Sequence, residues 1–278
     1  MKILRYEMLL KNPSNLRRLT GLSVSEFEAI TRKARVVWAK HIEAPKIVSG
    51  RPWALGTLEN HILALLIYFR YYIPHTFLGL MFGVDESVIC RSFKRIEPIL
   101  SKVCTITKTR KLKRGELEMI IVDVTEQAIQ RPKKKQKKYF SGKKKRHTLK
   151  TEIQVTKEGK IIRVSKPYPG SRHDLEIRKK ERPIRMSARV YADSAYQGLQ
   201  NIHPQACIPY KRSKSKKSLS SFEKKYNREL SRKRIKIENV IGDMKTYKIL
   251  QERYRNKREK YHTKTRIIAG LINLKAGF

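Results

Sequence analysis

The spacing of hydrophobic residues changes near residue 117, and this change constrains the fold more than any other feature of the chain. Before it, apolar side chains recur at helical intervals, as in LENHILALLIYFRY (58–71). After it, MIIVDVT (119–125) is nearly continuously apolar, as in a strand covered on both faces of a sheet. We therefore predict an α/β fold, with an all-α region over 1–110 followed by a mixed-sheet domain over 115–278.

The strand region continues with segments of different pattern. TLKTEIQVT (148–156) alternates between apolar and polar residues, which predicts a half-exposed strand. EGK makes a turn, and KIIRVSKP (160–167) is predicted to return as its partner strand. ARVYAD (188–193) reads as a short strand that ends in an acid, and the chain from about Ser218 onward is predicted to be helical.

The segment 74–97 has the pattern of two short helices joined by a turn. The first helix is predicted to end at Gly83, and Asp85 is placed to cap the second. The second helix has an apolar face and a polar, basic row, each at i, i+4 and i+7. The apolar residues are Ile89, Phe93 and Ile96, and the basic row is Ser87, Arg91 and Lys94. This layout predicts a helix-turn-helix at about 60–100 that reads a DNA major groove, and an ordinary helical hairpin is the alternative.

Net charge indicates the kind of partner. The chain has 65 Lys and Arg against 24 Asp and Glu, a formal charge of +41, which favours binding to a polyanion such as nucleic acid. Ten of the seventeen residues from Arg131 to His147 are Lys or Arg. We expect the end of this run to contact the DNA backbone, and the alternatives are a solvated loop or a targeting signal. The residues concerned are Lys143, Lys144, Lys145 and Arg146.

Cysteine usage and hydropathy bear on where such a chain works. The three cysteines show no metal-type pairing and leave an odd thiol in any disulfide scheme, which fits a reducing cytosol. The N-terminal residues lack the uninterrupted apolar run of a signal peptide. The most apolar window, 61–84, is interrupted by Arg70 and Pro74, so we interpret it as packed helices rather than a membrane span.

Two acids in or at the end of apolar strands suggest a metal site. Asp123 lies within IIVDV and Asp193 ends RVYAD. A carboxylate in such a place is costly to bury unless a positive charge compensates it. Oxygen ligands suit Mg²⁺ or Mn²⁺. The alternative is that each Asp merely caps a turn.

A third candidate acid lies in RKRIKIENVIGDMK (232–245). Arg234, Glu238 and Lys245 are spaced by four and seven residues, which places them on one face of a helix. Glu238 is a candidate metal ligand whose basic neighbours, Arg234 and Lys245, would hold phosphates. A ladder of ion pairs that satisfy one another is the alternative.

These residues lie in ordered blocks that resemble bacterial insertion-sequence transposases of the DDE type, in the branch related to Harbinger-like nucleases. The resemblance extends from about Gly50 to Arg258. Two positions depart from the pattern of the family: Ser231 stands where a Tyr is common, and Ala195 stands where many relatives have Gly. The matching blocks are GRPWALGTLENHILALLIYFR with the helix-turn-helix after it, IIVDVTEQAIQRPKKKQKKYFSGKKKRHTLKTEIQV, GSRHDL, YADSAYQG, and RIKIENVIGDMK followed by YRNKR.

The resemblance implies an RNase H-like catalytic core with Asp123, Asp193 and Glu238 as catalytic acids and metal ligands. It implies two Mg²⁺ or Mn²⁺ ions, cleavage at the terminal inverted repeats of an insertion sequence, and transfer of the cut strand to target DNA. The expected partners are double-stranded DNA and a second copy of the chain or a larger assembly on DNA. The expected location is the bacterial cytoplasm, at the nucleoid.

Some alternatives remain open from sequence. Asp174, in SRHDLE, is the other candidate for the second acid, and otherwise is expected to cap a helix or support a metal ligand from behind. A DNA-binding protein without catalysis is the rival outside enzymes. An endonuclease that cuts DNA but does not join strands is the rival within enzymes.

Overall fold

A computed structural model of the chain describes residues 3–44, 52–107, 112–212 and 218–278. The fold divides into two compact units. The first combines Met1–Thr105 with Lys245–Glu252 and Arg266–Gly277. The second consists mainly of Ile106–Met244, with Arg253–Thr265 added from near the C-terminus. That the regions 1–110 and 115–278 act as separate domains stays a prediction.

The first unit is helical. Its third helix begins at Val24, because the Ser23 hydroxyl accepts from the Glu26 N–H while the Glu26 carboxylate accepts from the Ser23 N–H. Gly21, with φ +79°, ends the helix before it in the left-handed conformation. The helices from the N-terminus onward are α1 (Tyr6–Leu10), α2 (Pro13–Thr20), α3 (Val24–Trp38) with a π-helical turn (Ala39–Glu43), α4 (Leu58–Tyr71), α5 (His75–Phe82) and α6 (Glu86–Val103).

The predicted pair of helices over 74–97 is confirmed as α5 and α6. Gly83 ends α5 at φ +63°, and the Asp85 carboxylate caps α6 by accepting from the Ser87 N–H at 2.8 Å. A Cβ at Gly79 would lie 2.5 Å from the Val84 carbonyl oxygen, so the turn folds back onto α5 only because this residue has no side chain. Sequence thus fixes the tight angle between the two helices through Gly79 and Gly83.

The second unit contains a mixed sheet, formed by seven strands within the described residues. In the sheet β3 lies between β1 and β4, β1 pairs in parallel with β6, and β6 pairs in parallel with β7. Antiparallel strands on one side and parallel strands on the other are what the predicted RNase H-like core requires. The strands are β1 (Met119–Ala128), β2 (Phe140–Ser141), β3 (Arg146–Thr156), β4 (Ile161–Val164), β5 (Tyr168–Pro169), β6 (Arg189–Tyr191) and β7 (Ala206–Cys207).

Helices cover both faces of the sheet. Along β1 and β3, Asp123 pairs with Ile153 and Val124 pairs with Glu152, so Asp123 and Glu152 point to opposite faces. Asp123 contacts a helix of the 218–278 region, and Glu152 contacts the helix that begins at Asp174. We call these the α9 face and the α8 face. The helices with residues in this unit are α7 (Gln136–Tyr139), α8 (Asp174–Lys180), α9 (Ser221–Lys245) and α10 (Tyr261–Lys275).

The prediction that 148–156 is half-exposed was wrong. β3 is buried on both faces over Thr151–Thr156, and several of its polar side chains have partners inside the protein. Glu152 is paired with Arg178 of α8 and accepts from the Gln154 amide, while the Glu152 N–H donates to Ser165. The alternation of polar and apolar residues therefore reflects a buried polar network on one face and not exposure to water.

The predicted α/β class, with an all-α region before a mixed sheet, is confirmed. Strand β1 is buried over Ile120–Val122 as its apolar run requires, and the region after Ser218 forms the long helix α9. No helix among the described residues is both long and apolar enough to cross a lipid bilayer.

Candidate functional site

Asp123 and Asp193 lie side by side at one edge of the sheet. Ile121 of β1 is the parallel partner of Tyr191 of β6; Asp123 lies two residues further along β1, and Asp193 lies two residues after Tyr191, just beyond the end of β6. Asp193 Oδ1 accepts the N–H of Ala195 at 2.9 Å, which fixes the turn after β6. The two strands thus bring together two carboxylates that are seventy residues apart in sequence.

Arg234 connects Asp123 to Glu238. Its Nη2 lies 3.6 Å from Asp123 Oδ2 and 3.6 Å from Glu238 Oε1, four residues further along α9. The two carboxylate oxygens are therefore separated by no more than twice that distance. The buried Nε of Arg234 has no hydrogen-bond partner among the described residues, so the guanidinium keeps a donor for a ligand. Lys245, the third residue of the predicted row, is the last residue of α9.

The environment of Asp123 favours its neutral form. Burial raises its pKa from 3.8 to about 6, against the lowering effect of Arg234, and the negative charge of Asp193 raises it further. The Val124 N–H donates to Asp123 Oδ1 at 2.8 Å and opposes the rise. This carboxylate has less positive charge around it than its burial requires.

Asp123→Asn is expected to stabilise the metal-free protein at neutral and higher pH. The folded-state pKa is raised from 3.8 to about 6, so stability is lost as pH rises through that window and stays low above it. Asparagine has no charge to bury, so its free energy of unfolding should exceed that of wild type by about 1–3 kcal/mol above the window. The check is urea unfolding with a chelator at both ends of the window; a gap that does not close at acid pH would contradict the account.

The chemistry of the donor set fits a hard divalent cation. Asp123 and Asp193 offer carboxylate oxygens, which Mg²⁺ and Mn²⁺ prefer, and an added cation would compensate the charge that burial disfavours. Within the described residues, no group of three or more His, Cys, Asp or Glu side chains is arranged to hold a metal ion by itself. Arg234 is the positive charge that contacts both Asp123 and Glu238.

Asp174 lies on the other face of the sheet. It begins α8, and its Oδ1 accepts from Lys150 Nζ at 2.9 Å. Lys150 is two residues from Glu152 along β3 and shares its face. Burial raises the pKa of Asp174, Lys150 lowers it, and Asp193 adds to the rise. Asp174 is thus near the candidate site but opposite the face on which Asp123 meets α9.

The basic run ends in a tight exposed turn. Residues 142–145 connect β2 to β3, with Ser141 paired to Arg146, and the Lys144 N–H donates to the Ser141 hydroxyl. Lys145 adopts φ +51° to close the turn. All four residues that we predict to bind the DNA backbone are exposed in this turn, so their charges can contact water or a polyanion. They are Lys143, Lys144, Lys145 and Arg146.

The helix-turn-helix exposes its predicted reading row. Ile89, Phe93 and Ile96 are buried, whereas Ser87, Arg91 and Lys94 are all exposed on the opposite side of α6. The Thr76 hydroxyl donates to Glu86, which ties the start of α5 to the start of α6. The exposed row has the geometry of a recognition surface at the N-terminal half of the second helix.

A cleft on the α8 face was not predicted. It has a volume of about 750 Å³ and is lined in part by Lys150, Arg172, Lys211 and the turn residue Lys143, and it reaches Ser194 directly after Asp193. Of these four cations, only Lys143 was singled out from sequence. Lys150 is one of the polar positions in an alternating strand, and Lys211 is one of 65 Lys and Arg. Nothing in the sequence near either residue therefore indicates a binding site.

Comparison with known families gives two matches that together cover most of the chain. Residues 122–273 match the family described as DDE superfamily endonuclease. Residues 53–105 match the family described as helix-turn-helix of DDE superfamily endonuclease. The second match contains α4, α5 and α6, and the first contains Asp123, Asp193 and Glu238.

Two curated proteins are similar over nearly the whole chain. One, from Microchaete diplosiphon, is described as the probable transposase for insertion sequence element IS702. It is 36% identical over 263 residues, 92% of each chain. Another, from Streptomyces albus G, is described in similarly provisional terms as a transposase for insertion sequence element IS112. It is 24% identical over 243 residues, 86% of this chain and 87% of its own. No solved structure matches the chain.

Proposed function

The chain belongs to the DDE superfamily of endonucleases, and from that premise we propose that it is an insertion-sequence transposase. It binds the terminal inverted repeats of its element, cleaves a DNA strand there with the help of divalent metal ions, and transfers the cut strand to target DNA. The observation that carries this proposal is the position of Asp123 and Asp193, each two residues beyond the paired residues Ile121 and Tyr191, with Glu238 next to Asp123 through Arg234.

Asp123, Asp193 and Glu238 are the proposed metal ligands. Bound Mg²⁺ or Mn²⁺, two ions in the expected scheme, supplies Lewis acidity to the attacking and leaving oxygens of an in-line displacement at phosphorus. Asp193 is preferred to Asp174 as the second acid because it shares the sheet edge with Asp123, whereas Asp174 is engaged by Lys150 on the opposite face. Asp174 then serves to hold Lys150 in place.

The protein's own groups position the DNA. Arg234 has a buried donor without a partner and lies between two proposed ligands, so it is suited to hold a non-bridging phosphate oxygen. Lys245 extends this basic row along α9. The exposed Lys143–Arg146 turn contacts the backbone, where several like charges gain from a polyanion. The region 1–110 recognises sequence and the region 115–278 carries out the chemistry.

Arg91→Gln is expected to reduce discrimination between the element's end sequence and random DNA by about 1–3 kcal/mol, if the guanidinium makes a bidentate base contact. Arg91 is exposed in the reading row of α6. The measurement is competitive binding of end and random duplexes. Lys102→Gln, in the last turn of the same helix, is the matched control. Equal discrimination in Arg91→Gln and wild type would remove α6 from sequence recognition.

A homodimer or larger assembly on DNA is part of the proposal. An insertion sequence has two ends, and each chain carries one set of the three proposed acids, so two chains are needed to process both ends together. The net charge of +41 favours residence on DNA, which for a bacterial element is the nucleoid in the cytoplasm.

Joining of pre-cut ends separates the proposal from its rivals. Purified protein is incubated with Mg²⁺, a duplex that already ends in the element's 3′-OH, and a supercoiled target plasmid. The proposal predicts covalent joining of the duplex to the plasmid. Cleavage of uncut ends without joining would indicate an endonuclease that does not transfer strands. Binding without either reaction would indicate a DNA-binding protein without catalysis.

A further inference from the structure

We propose that the cleft on the α8 face binds an unpaired DNA strand by its phosphates, as a second nucleic-acid site on the side of the sheet opposite α9. The inference rests on the proposed function, since it assumes that DNA is the substrate. It goes beyond it, because none of the residues that carry it belongs to the metal site or to the helix-turn-helix.

Cations from four separate segments converge in this cleft. Lys143 comes from the β2–β3 turn, Lys150 from β3, Arg172 from the loop before α8, and Lys211 from the segment after β7. Local sequence does not place these residues together; only the fold does. Convergence on a recess of about 750 Å³ is the arrangement of a binding site, because such volumes enclose small organic ligands.

The acids that line the cleft are already neutralised. Asp174 Oδ1 lies 2.9 Å from Lys150 Nζ, and Glu176 Oε1 lies 3.3 Å from Lys179 Nζ. Lys143, Arg172 and Lys211 have no carboxylate partner among the described residues. The cleft therefore carries an excess of uncompensated positive charge, and an anion with several phosphates fits it.

The depth of the cleft favours one strand over a duplex. The Lys150 side chain is only 14% exposed, and Asp174 is 18% exposed. Lys150 Nζ also donates to the Arg172 carbonyl, at 2.9 Å, which leaves the third donor of the ammonium for a ligand. The convex backbone of a duplex is met by projecting side chains, whereas a flexible single strand can enter a recess.

The cleft lies next to the proposed metal site. Ser194 and Ala195 line it, and they directly follow Asp193. A strand in the cleft thus reaches one of the proposed metal ligands from the α8 face, while α9 reaches Asp123 from the other face. Unpaired nucleotides beside a cleavage point would be held away from the strand that reacts.

The test compares two double variants in binding to a short oligothymidylate and to a random duplex, without metal. Arg172→Gln with Lys211→Gln removes two cleft cations. The control variant, Lys157→Gln with Lys236→Gln, removes the same amount of positive charge. These two residues lie beside the turn that follows β3, at the end of the strand opposite the cleft. The expected result is a loss of single-strand affinity in the cleft variant alone, with the slope of log K against log salt flatter by about 1.4, from about 0.7 per lost contact.

Three outcomes would overturn the proposal. One is equal affinity of the cleft and control variants for both DNAs. Another is an equal loss of duplex and single-strand affinity in the cleft variant, and the third is displacement of the strand by free thymidine monophosphate at equal nucleotide concentration. The last would make the cleft a small-nucleotide site. A wild-type protein that binds no DNA at all would instead reject the proposed function itself, so the two failures are distinct.

Discussion

Asp123→Asn, Asp193→Asn and Glu238→Gln should each lower the rate of DNA strand cleavage by about a thousandfold or more while leaving DNA affinity near wild type. Loss of one proposed metal ligand is expected to remove several kcal/mol of charge stabilisation from the transition state. The amide variants are preferred to Ala because Asn at 193 keeps an oxygen that accepts from the Ala195 N–H. Single-turnover cleavage of an end-containing duplex gives the rate, and a gel-shift titration gives the affinity.

Two controls sharpen this result. Glu229→Gln removes an exposed acid from α9 without touching the site and should cleave normally. Asp174→Asn should cleave much better than Asp193→Asn, because Asp174 pairs with Lys150 on the other face of the sheet. Cleavage that survives in Asp193→Asn and is lost in Asp174→Asn would reassign the second ligand.

Neutralising the basic turn should weaken binding to specific and random duplexes alike. The variant is Lys143→Gln, Lys144→Gln and Lys145→Asn, with Asn at 145 because that residue has φ +51°, which Asn tolerates. The slope of log K against log salt should flatten by up to about 2.7, from about 0.9 per lost phosphate contact. Folding should barely change, because the side chains are exposed and like charges repel. Cleavage at saturating protein should persist.

The matched control removes three exposed cations from the first half of α9: Lys224→Gln, Lys225→Gln and Arg228→Gln. If the turn contacts the backbone, only the turn variant changes the slope by this amount. Equal slopes in the turn variant and wild type would show that these lysines do not contact the DNA backbone and that the run is a solvated loop. Equal flattening in both variants would make it a general effect of net charge.

Most of the arrangement of the candidate site could be predicted, because the local sequence pattern determines it. Asp123 and Asp193 stand within or just after apolar strands, and parallel neighbours bring such positions to one edge. Arg234 and Glu238 are four residues apart, so any helix through them puts them on one face, and α9 brings Arg234 against Asp123. The helix-turn-helix followed from Gly83, the Asp85 cap and the spacing of the apolar face of α6.

The remainder depends on contacts between distant segments. β3 alternates like a half-exposed strand, but Glu152 is buried against Arg178, a partner twenty-six residues away that no local pattern identifies. The segments Lys245–Glu252 and Arg266–Gly277 belong to the helical unit, although they are far from its other residues in sequence. One contact that joins them is the Arg70 guanidinium, which lies over the Tyr247 ring. Lys150, Arg172 and Lys211 come together only because strands and loops from different parts of the chain meet.

The most direct test of the central claim is cleavage of DNA that carries the element's own ends by the purified protein with Mg²⁺. We expect a strand break at the boundary of the terminal repeat that leaves a 3′-OH, and loss of this break with a chelator or in Asp123→Asn. Sequence-specific binding to the ends with no break in Mg²⁺ or Mn²⁺, or a break that persists in Asp123→Asn, would contradict it.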